Sequence, residues 1–168
     1  DYFYFEMTGR IEAWYNVMSM LRTNDFATYN TTVSYAFYKL FNGCTSLTKA
    51  PTLPATTLAQ ECYSDMFRDC TALTKAPALT ATTLAPKCYT TMFGGCTSLT
   101  KAPALPATTL SQECYQSMFQ GCTSLTKSPE LTATTLAQNC YSNMFNDCSS
   151  LNKVRCQMPS SYSSSQIS

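Results

Sequence analysis

The chain has 168 residues, which is enough for a single domain with a hydrophobic core. Eleven Lys and Arg against ten Asp and Glu leave a formal net charge of +1, which argues against strong nucleic-acid binding. The sequence has no apolar run of the roughly 20 residues that a membrane-spanning helix needs. It starts at Asp1 without a signal-like segment, so we expect it to be a processed piece of a longer protein.

Residues 1–17 are the first predicted element and precede the regular part of the chain. Their alternating aromatic residues and the central Gly9 predict a β-hairpin. Two interpretations stay open: the hairpin covers the N-terminal end of the structure that follows, or it is the last strand pair of a preceding domain. Packing in such a cap explains the aromatic residues better than a ligand-stacking platform, because the end of a repeat array must be covered.

A gapless repeat of 26 residues occupies most of the remaining chain. Two series of cysteines follow it. The first series is Cys44, Cys70, Cys96, Cys122 and Cys148, and the second series is Cys62, Cys88, Cys114 and Cys140. The predicted repeats are 18–43, which is degenerate, 44–69, 70–95, 96–121 and 122–147, followed by a closing strand in 148–156 and a Ser-rich tail, 157–168. A period of 26 lies in the leucine-rich-repeat range, in which each unit adds a strand and a helix to a stacked solenoid.

The first half of each repeat, "LTKAPAL" in its commonest form, predicts a short strand. In the repeat 70–95 this strand should cover about 73–76, and it should stop at Pro77, which lacks an N–H donor. We expect Leu73, Ala76 and Leu79 to point into the core and Lys75 to point away from it.

The second half of each repeat predicts an amphipathic helix. From Leu58 onward, apolar residues occupy one half of a helical wheel, and polar residues such as Ser64 and Asp65 occupy the other half. Thr57 is placed as the N-cap, with Gln60 three residues later. The residue before each first-series cysteine is of a type that accepts a left-handed turn at a helix end; these residues are Gly43, Asp69, Gly95, Gly121 and Asp147.

Taken together, these phrases resemble a known family. The motif "FxxCxxL", and the fuller pattern "LTKAPALPATTLxxxCYxxMFxGCTSL" over residues 18–156, are similar to the BspA-like leucine-rich repeats of surface-exposed or secreted proteins of gut anaerobic bacteria. The resemblance implies an α/β repeat fold: a right-handed leucine-rich-repeat solenoid with short strands on one face and short helices on the other. It also implies an extracellular or cell-surface location and a role in adhesion or binding, with no catalytic residues to transfer.

The ten cysteines allow more than one role. An even number in an extracellular chain suggests disulfides, and one scheme joins each first-series cysteine to the cysteine 18 residues later and Cys148 to Cys156. Within a repeat, however, a helix would place Cys62 and Cys70 about 12 Å apart, beyond the roughly 7 Å Cα limit for a bridge. Reduced, buried thiols are therefore favoured.

The lack of histidine argues against catalysis and against a metal site. The cysteine spacings contain no close ligand pair of the kind that structural zinc needs, and a nucleophilic Ser or Cys would lack its usual base. Glu61 and Glu113 are replaced by Lys87 and Asn139 in the other repeats, which is typical of a solvated face rather than of a catalytic acid pair. We predict no enzymatic activity, no cofactor and no metal.

One surface feature marks a candidate ligand site. Five of the seven lysines recur at the 26-residue period on the strand side, and a threonine precedes four of them. We call these nine residues the Lys/Thr column: Lys49, Lys75, Lys101, Lys127, Lys153, Thr48, Thr74, Thr100 and Thr126. Two interpretations stay open, because long lysines can simply blunt an exposed sheet, and they can also form a cationic stripe for an anionic partner.

These observations predict a non-enzymatic binding or adhesion module displayed on a bacterial cell surface. Its partner would be a host or neighbouring-cell protein or glycan, with an anionic ligand as one option, and neither nucleic acid nor a membrane span is expected. The alternative is a structural or docking component of a larger assembly, such as a phage or surface appendage, with contacts through residues 1–17. An exposed apolar patch in 1–17 would favour assembly, whereas a solvent-facing Lys/Thr column would favour ligand binding.

Overall fold

The computed structural model of the chain describes residues 30–157, residue 17 and the backbone of residues 11–12. Most of the predicted N-terminal hairpin, residues 18–29 of the degenerate repeat 18–43, and all but the first residue of the tail lie outside the described residues. The strands of the described part are β1 (Ile11–Glu12), β2 (Leu47–Lys49), β3 (Glu130–Leu131) and β4 (Arg155–Cys156). None of the described residues belongs to an α-helix.

The predicted helix in each repeat was therefore wrong, and a series of tight turns takes its place. The turns cover ten residues in every repeat, and we call them the turn segments: 34–43, 60–69, 86–95, 112–121 and 138–147. In segment 60–69 every second N–H bonds three residues back, as in Ser64 N–H to the Glu61 carbonyl (3.2 Å). The intervening N–H groups bond to the next repeat, as in Tyr63 N–H to the Cys88 carbonyl (3.0 Å).

Backbone angles explain why the sequence pattern of the turn segments resembles that of an amphipathic helix. Every fourth residue of a turn segment has a positive φ, for example Glu61, Asp65 and Asp69 at 52°, 53° and 59°. The segment therefore repeats every four residues, which differs from the 3.6-residue α-helical period by only about 10° of rotation per residue. The left-handed geometry predicted before each first-series cysteine is confirmed at all five sites, with φ between 59° and 73°.

The apolar face predicted for this segment is largely confirmed, but its polar face is not. Cys62, Tyr63 and Met66 are buried, as expected. Ser64 and Asp65 are also buried, at 4% and 9% exposure, although the helical wheel placed them in solvent. The reason is that repeats pack on both sides of segment 60–69 and cover short side chains in its middle.

Neighbouring repeats lie parallel and in register. Five inter-repeat backbone hydrogen bonds of 2.7–3.2 Å connect each pair of adjacent turn segments. Aromatic rings stack along the same direction with centroids 5.5–5.8 Å apart, in one ladder from Phe37 to Tyr141 and another from Phe41 to Phe145. Together with the buried leucines and cysteines, these ladders form the hydrophobic core. The right-handed winding of the chain stays a prediction.

The strand side is less regular than predicted. Among residues 30–157, only β2 and β3 are strands in the first half of a repeat, while residues 73–76 form none and isolated parallel bridges such as Lys101–Lys127 link other repeats. β1 pairs in parallel with β2, and Val17 donates its N–H to the Thr52 carbonyl (3.2 Å). At the other end β3 pairs in parallel with β4, so the predicted closing strand in 148–156 is reduced to its last two residues.

Candidate ligand-binding surface

The structure places the Lys/Thr column on the surface. Its five lysines are exposed, and of its four threonines only Thr48 is half-buried. The backbones of Lys101 and Lys127 face each other in a parallel bridge, so these side chains emerge from adjacent positions of neighbouring repeats. Leu73 and Leu79 lie on the opposite, inner side and are buried, as predicted.

Four of the column lysines have no acidic partner among residues 30–157. The ion pairs of this part of the chain lie in the turn segments, where Arg68 contacts Asp65 (3.4 Å) and Asp69 (3.6 Å), and Lys87 contacts Glu113 (3.5 Å). None of these pairs involves Lys75, Lys101, Lys127 or Lys153. These four lysines therefore carry positive charge that no acidic side chain of residues 30–157 pairs.

A groove of about 880 Å³ opens within the column, between the repeats 44–69 and 70–95. Its volume lies in the range of small-ligand sites. The lining combines column residues with small apolar ones: Thr48, Lys49, Ala50, Pro51 and Thr52 from one repeat, and Ala72, Thr74, Lys75, Ala76 and Pro77 from the next.

Prolines explain why the repeats separate at this place. Pro51 and Pro77 follow the column lysines by two residues and have no N–H to donate across the gap. Pairing resumes only further on, where Leu53 and Leu79 form a parallel bridge. Sequence reasoning used the proline to end a strand and missed the groove, although the shared Lys-Ala-Pro phrase was a visible signal.

The first-series cysteines bind the repeats together through their thiols. Cys70 donates its Sγ–H to the Phe41 carbonyl (3.0 Å), and Cys96 donates to the Phe67 carbonyl (3.1 Å). Cys122 and Cys148 repeat this contact one and two repeats later, at 3.1 and 3.0 Å. The Phe67 carbonyl also accepts the N–H of Cys70 (3.1 Å), so both of its lone pairs are used. A small, apolar donor is what this position requires, and cysteine is one.

All ten cysteines lie within residues 30–157 and are thiols, nine of them buried and Cys156 exposed. This geometry agrees with the predicted reduced thiols rather than with the disulfide scheme. Burial raises the pKa of Cys62 from 9.0 to about 11 and the pKa of Cys114 to about 12. These thiols stay protonated at neutral pH, and a protonated thiol is a poor nucleophile.

The ladder of stacked tyrosine rings contains two buried hydroxyl groups without hydrogen-bond partners among the described residues. The hydroxyls of Tyr63 and Tyr115 are buried and have no hydrogen-bond partner among the described residues. Burial also raises the pKa of both phenols. Phe37 holds the same position in the first ladder step, so the stack does not require the hydroxyl.

The C-terminal turn segment exposes an edge of backbone donors. In each earlier segment five alternate N–H groups bond to the following repeat, but no described residue accepts the N–H groups of Asn139, Tyr141, Asn143, Phe145 and Asp147. A cavity of about 390 Å³ at the same end is lined by residues that include Tyr141, Phe145 and Val154. Sequence reasoning placed assembly contacts at residues 1–17 and did not identify this edge.

The described residues form neither a metal site nor a membrane-spanning helix. They contain no cluster of three or more His, Cys, Asp or Glu side chains suited to a metal ion. They also contain no helix of the length and apolarity that crossing a bilayer requires.

Comparison with known proteins adds no family assignment. The resemblance to BspA-like leucine-rich repeats therefore stays a prediction from the sequence. No protein-family model, curated protein or solved structure matches the chain.

Proposed function

We propose that the protein is a non-enzymatic binding or adhesion module displayed on a bacterial cell surface, and that it contacts a protein or glycan through the Lys/Thr column. The observation that carries the proposal is the groove of about 880 Å³ between two repeats, bordered by Lys49 and Lys75. Small apolar side chains in its walls offer contact area, while the lysines and threonines offer hydrogen bonds and charge.

The regular packing of the turn segments supports this proposal. Each repeat junction is held by five backbone hydrogen bonds and stacked rings, so the strand side is carried on a regular scaffold. Binding residues that sit on such a scaffold lose little conformational entropy when a ligand arrives.

A binding array of glycans and matrix proteins, probed with the full chain, tests the proposal. We expect defined ligands whose signal falls in the double variant Lys49→Gln/Lys75→Gln. The matched control is Lys39→Gln/Lys87→Gln, which removes the same charge from the turn segments. Ligands that bind both variants equally would place the site elsewhere, and an array without any ligand would contradict the proposal.

A second function has its own supporting observation, the open donor edge at residues 139–147. Such an edge is a template for another chain, so the protein can also act as a structural or docking component of a larger assembly. Its partner must present backbone carbonyls. A second copy can dock here only through a different face, because two copies of this edge would oppose donor to donor.

Sedimentation velocity of the full chain over a wide concentration range tests assembly. Self-association that Phe145→Glu abolishes would support it, because the new carboxylate lies at the open end of the ring ladder. The control Thr123→Glu adds the same charge at an exposed site of the repeat 122–147. A single monomeric species at every concentration would remove this support.

A further inference from the structure

The outer edge of the last turn segment, 138–147, carries backbone donors that no described residue accepts. These N–H groups belong to Asn139, Tyr141, Asn143, Phe145 and Asp147. At an internal junction the equivalent groups donate to alternate carbonyls of the following repeat, as Tyr115 N–H does to the Cys140 carbonyl (3.0 Å). A row of unpaired donors along one edge is a template for another backbone. The edge can therefore receive one more row of carbonyls.

Phe145 supplies two further contact groups at the same edge. Its ring stacks on Phe119 (5.8 Å between centroids), meets no second ring among the described residues and is partly exposed, whereas Phe119 has rings on both faces and is fully buried. The carbonyls of the four earlier phenylalanines at this position each accept a thiol from the next repeat, as Phe119 does from Cys148 (3.0 Å). No described residue donates a thiol to the Phe145 carbonyl. The edge thus lacks the three kinds of contact that join neighbouring repeats.

The groups at this edge match one phrase of the sequence, CYxxMFxxC, which recurs at 62–70, 88–96, 114–122 and 140–148. Its alternate carbonyls accept the donors of the preceding repeat, its Phe stacks on the preceding Phe, and its last Cys donates to the preceding Phe carbonyl. The first turn segment of a second copy is the competing occupant. Its Phe37 and Phe41 rings are buried, at 2% and 5% exposure, and so are not available to stack on Phe145. The geometry therefore favours a different chain.

Asp147 sets a further requirement on the partner. The equivalent positions of the earlier repeats hold Gly43, Asp69, Gly95 and Gly121, so acidic residues never occupy this position in two successive repeats. The contact is close, because a Cβ added to Gly95 would collide with the Asp69 carboxylate. Two aspartates would also repel each other across the junction. A segment that follows Asp147 therefore needs glycine before its last cysteine.

Resting on the proposed assembly function, we propose that the edge of turn segment 138–147 binds a turn segment of the same kind, CYxxMFxGC, on a different protein chain. The partner's alternate carbonyls accept the five N–H groups, and its Phe stacks on Phe145. Its last cysteine donates Sγ–H to the Phe145 carbonyl. The partner thus adds one repeat to the stack, held by the contacts that hold the repeats within the chain.

A synthetic peptide of residues 105–125 is the probe, added under reducing conditions to the labelled full chain. It contains the phrase CYQSMFQGC, with Gly121 before Cys122. By NMR, the five open N–H groups should exchange rapidly in the free chain and at least about tenfold more slowly with saturating peptide. The intervening N–H groups are the internal control, because they bond three residues back in the free chain and should change less. These groups belong to Cys140, Ser142, Met144 and Asn146.

Compensating variants test the glycine requirement. The peptide variant Gly121→Asp should bind the full chain at least about tenfold more weakly, because it sets a second carboxylate against Asp147. The protein variant Asp147→Gly should restore the binding of that peptide, since a junction of Asp with Gly already occurs between Gly121 and Asp147. Phe145→Glu should abolish the binding of the unmodified peptide, while Thr123→Glu should retain it. Circular dichroism checks that each protein variant is folded.

Several results would overturn the inference. Slow exchange of the five N–H groups in the free chain would mean that the chain itself already covers the edge. Exchange that the peptide leaves unchanged, or an Asp147→Gly variant that still rejects the Gly121→Asp peptide, would exclude the partner described. Self-association of the full chain without peptide binding would leave the assembly function standing and overturn the partner assignment. Peptide binding by a chain that stays monomeric would support a partner on a different chain.

Discussion

At the residue scale, the unusual feature is how many non-glycine residues adopt left-handed backbone angles. The middle position of the turn segments is occupied by Lys39, Asp65, Thr91, Ser117 and Asn143, with φ between 51° and 57°. Asn and Asp tolerate this region, whereas a β-branched residue is strained there. The free-energy cost of the left-handed backbone angle therefore differs among repeats that are otherwise alike.

Replacing Thr91 by Asn should stabilise the protein. Asn143 occupies the same turn position with φ 53°, against 52° at Thr91, so the substitution keeps the fold. We expect the free energy of unfolding to rise by about 1 kcal/mol, measured by urea denaturation. The reverse change, Asn143→Thr, is the matched control and should lower the free energy by a similar amount; a loss of stability in Thr91→Asn would contradict the strain.

Removing the buried hydroxyl of Tyr115 should also stabilise the protein. The Tyr115 hydroxyl has no partner among the described residues, and an unsatisfied buried polar group is costly. We expect Tyr115→Phe to raise the free energy of unfolding by about 1 kcal/mol, measured by chemical denaturation. Tyr141→Phe, at the end of the ladder, should change it less. A clear decrease in the free energy of unfolding of Tyr115→Phe would show that the hydroxyl is hydrogen-bonded.

At the scale of the element, the turn segment and the strand side have different roles. The turn segment uses its N–H groups in two directions, locally and toward the next repeat, and so it holds neighbouring repeats in register. The strand side has few inter-repeat bonds because Pro51, Pro77 and Pro103 interrupt them. The groove is a consequence of that looser pairing.

The lysine column should cost stability at low salt. Two ammonium groups about 5 Å apart repel by roughly 0.8 kcal/mol even in water. We therefore expect Lys75→Gln/Lys101→Gln/Lys127→Gln to raise the free energy of unfolding at low ionic strength, with a difference that shrinks as salt is added. Lys87→Gln, which removes an ion pair with Glu113, should not raise it. A triple variant that unfolds more easily at low salt would contradict the repulsion.

At the scale of the whole molecule, the chain is held by ladders of identical contacts. Contacts between rings, thiols and backbone groups recur at each junction between repeats. The stability of a repeat therefore depends on its contacts with neighbouring repeats. Because the repeats are alike, the effect of one buried position on the free energy of unfolding recurs in each repeat, and these effects add up. Ionisation is the clearest case, because burial raises the pKa of all nine buried thiols.

The protein should unfold in mild alkali. Raised pKa values mean that the folded state keeps protons that the unfolded chain loses, so stability is complete below pH 9.0 and falls as the pH rises toward about 12. A thiol contributes at most about 1.4 kcal/mol per pH unit, and only between pH 9.0 and its own raised pKa, which is about 11 for Cys62 and about 12 for Cys70. Urea denaturation at a series of pH values measures the slope.

Two variants check the origin of this alkaline slope. Cys88→Ala should make it shallower, because Cys88 is buried and its pKa is raised. Cys156 is exposed and does not belong to the buried thiols, so Cys156→Ser serves as the control. Stability that does not change between neutral pH and about pH 11 would show that the thiols do not ionise on unfolding.

The sequence by itself determined which residues form the core and which face solvent at most positions. A period of 26 marks equivalent positions directly, so the buried first-series cysteines, the left-handed sites before them and the outward lysines all follow from composition at each position. Such features depend on local chemistry that every repeat displays.

Only the tertiary structure decided between helix and turns, opened the groove and left the C-terminal donors without acceptors among the described residues. The acceptor of the Tyr63 N–H is the carbonyl of Cys88, 25 residues away, and no local pattern distinguishes that bond from a helical one. A four-residue and a 3.6-residue period bury nearly the same side chains over ten residues. The choice therefore depends on the neighbouring repeat, which supplies both the hydrogen-bond partners and the covering surface.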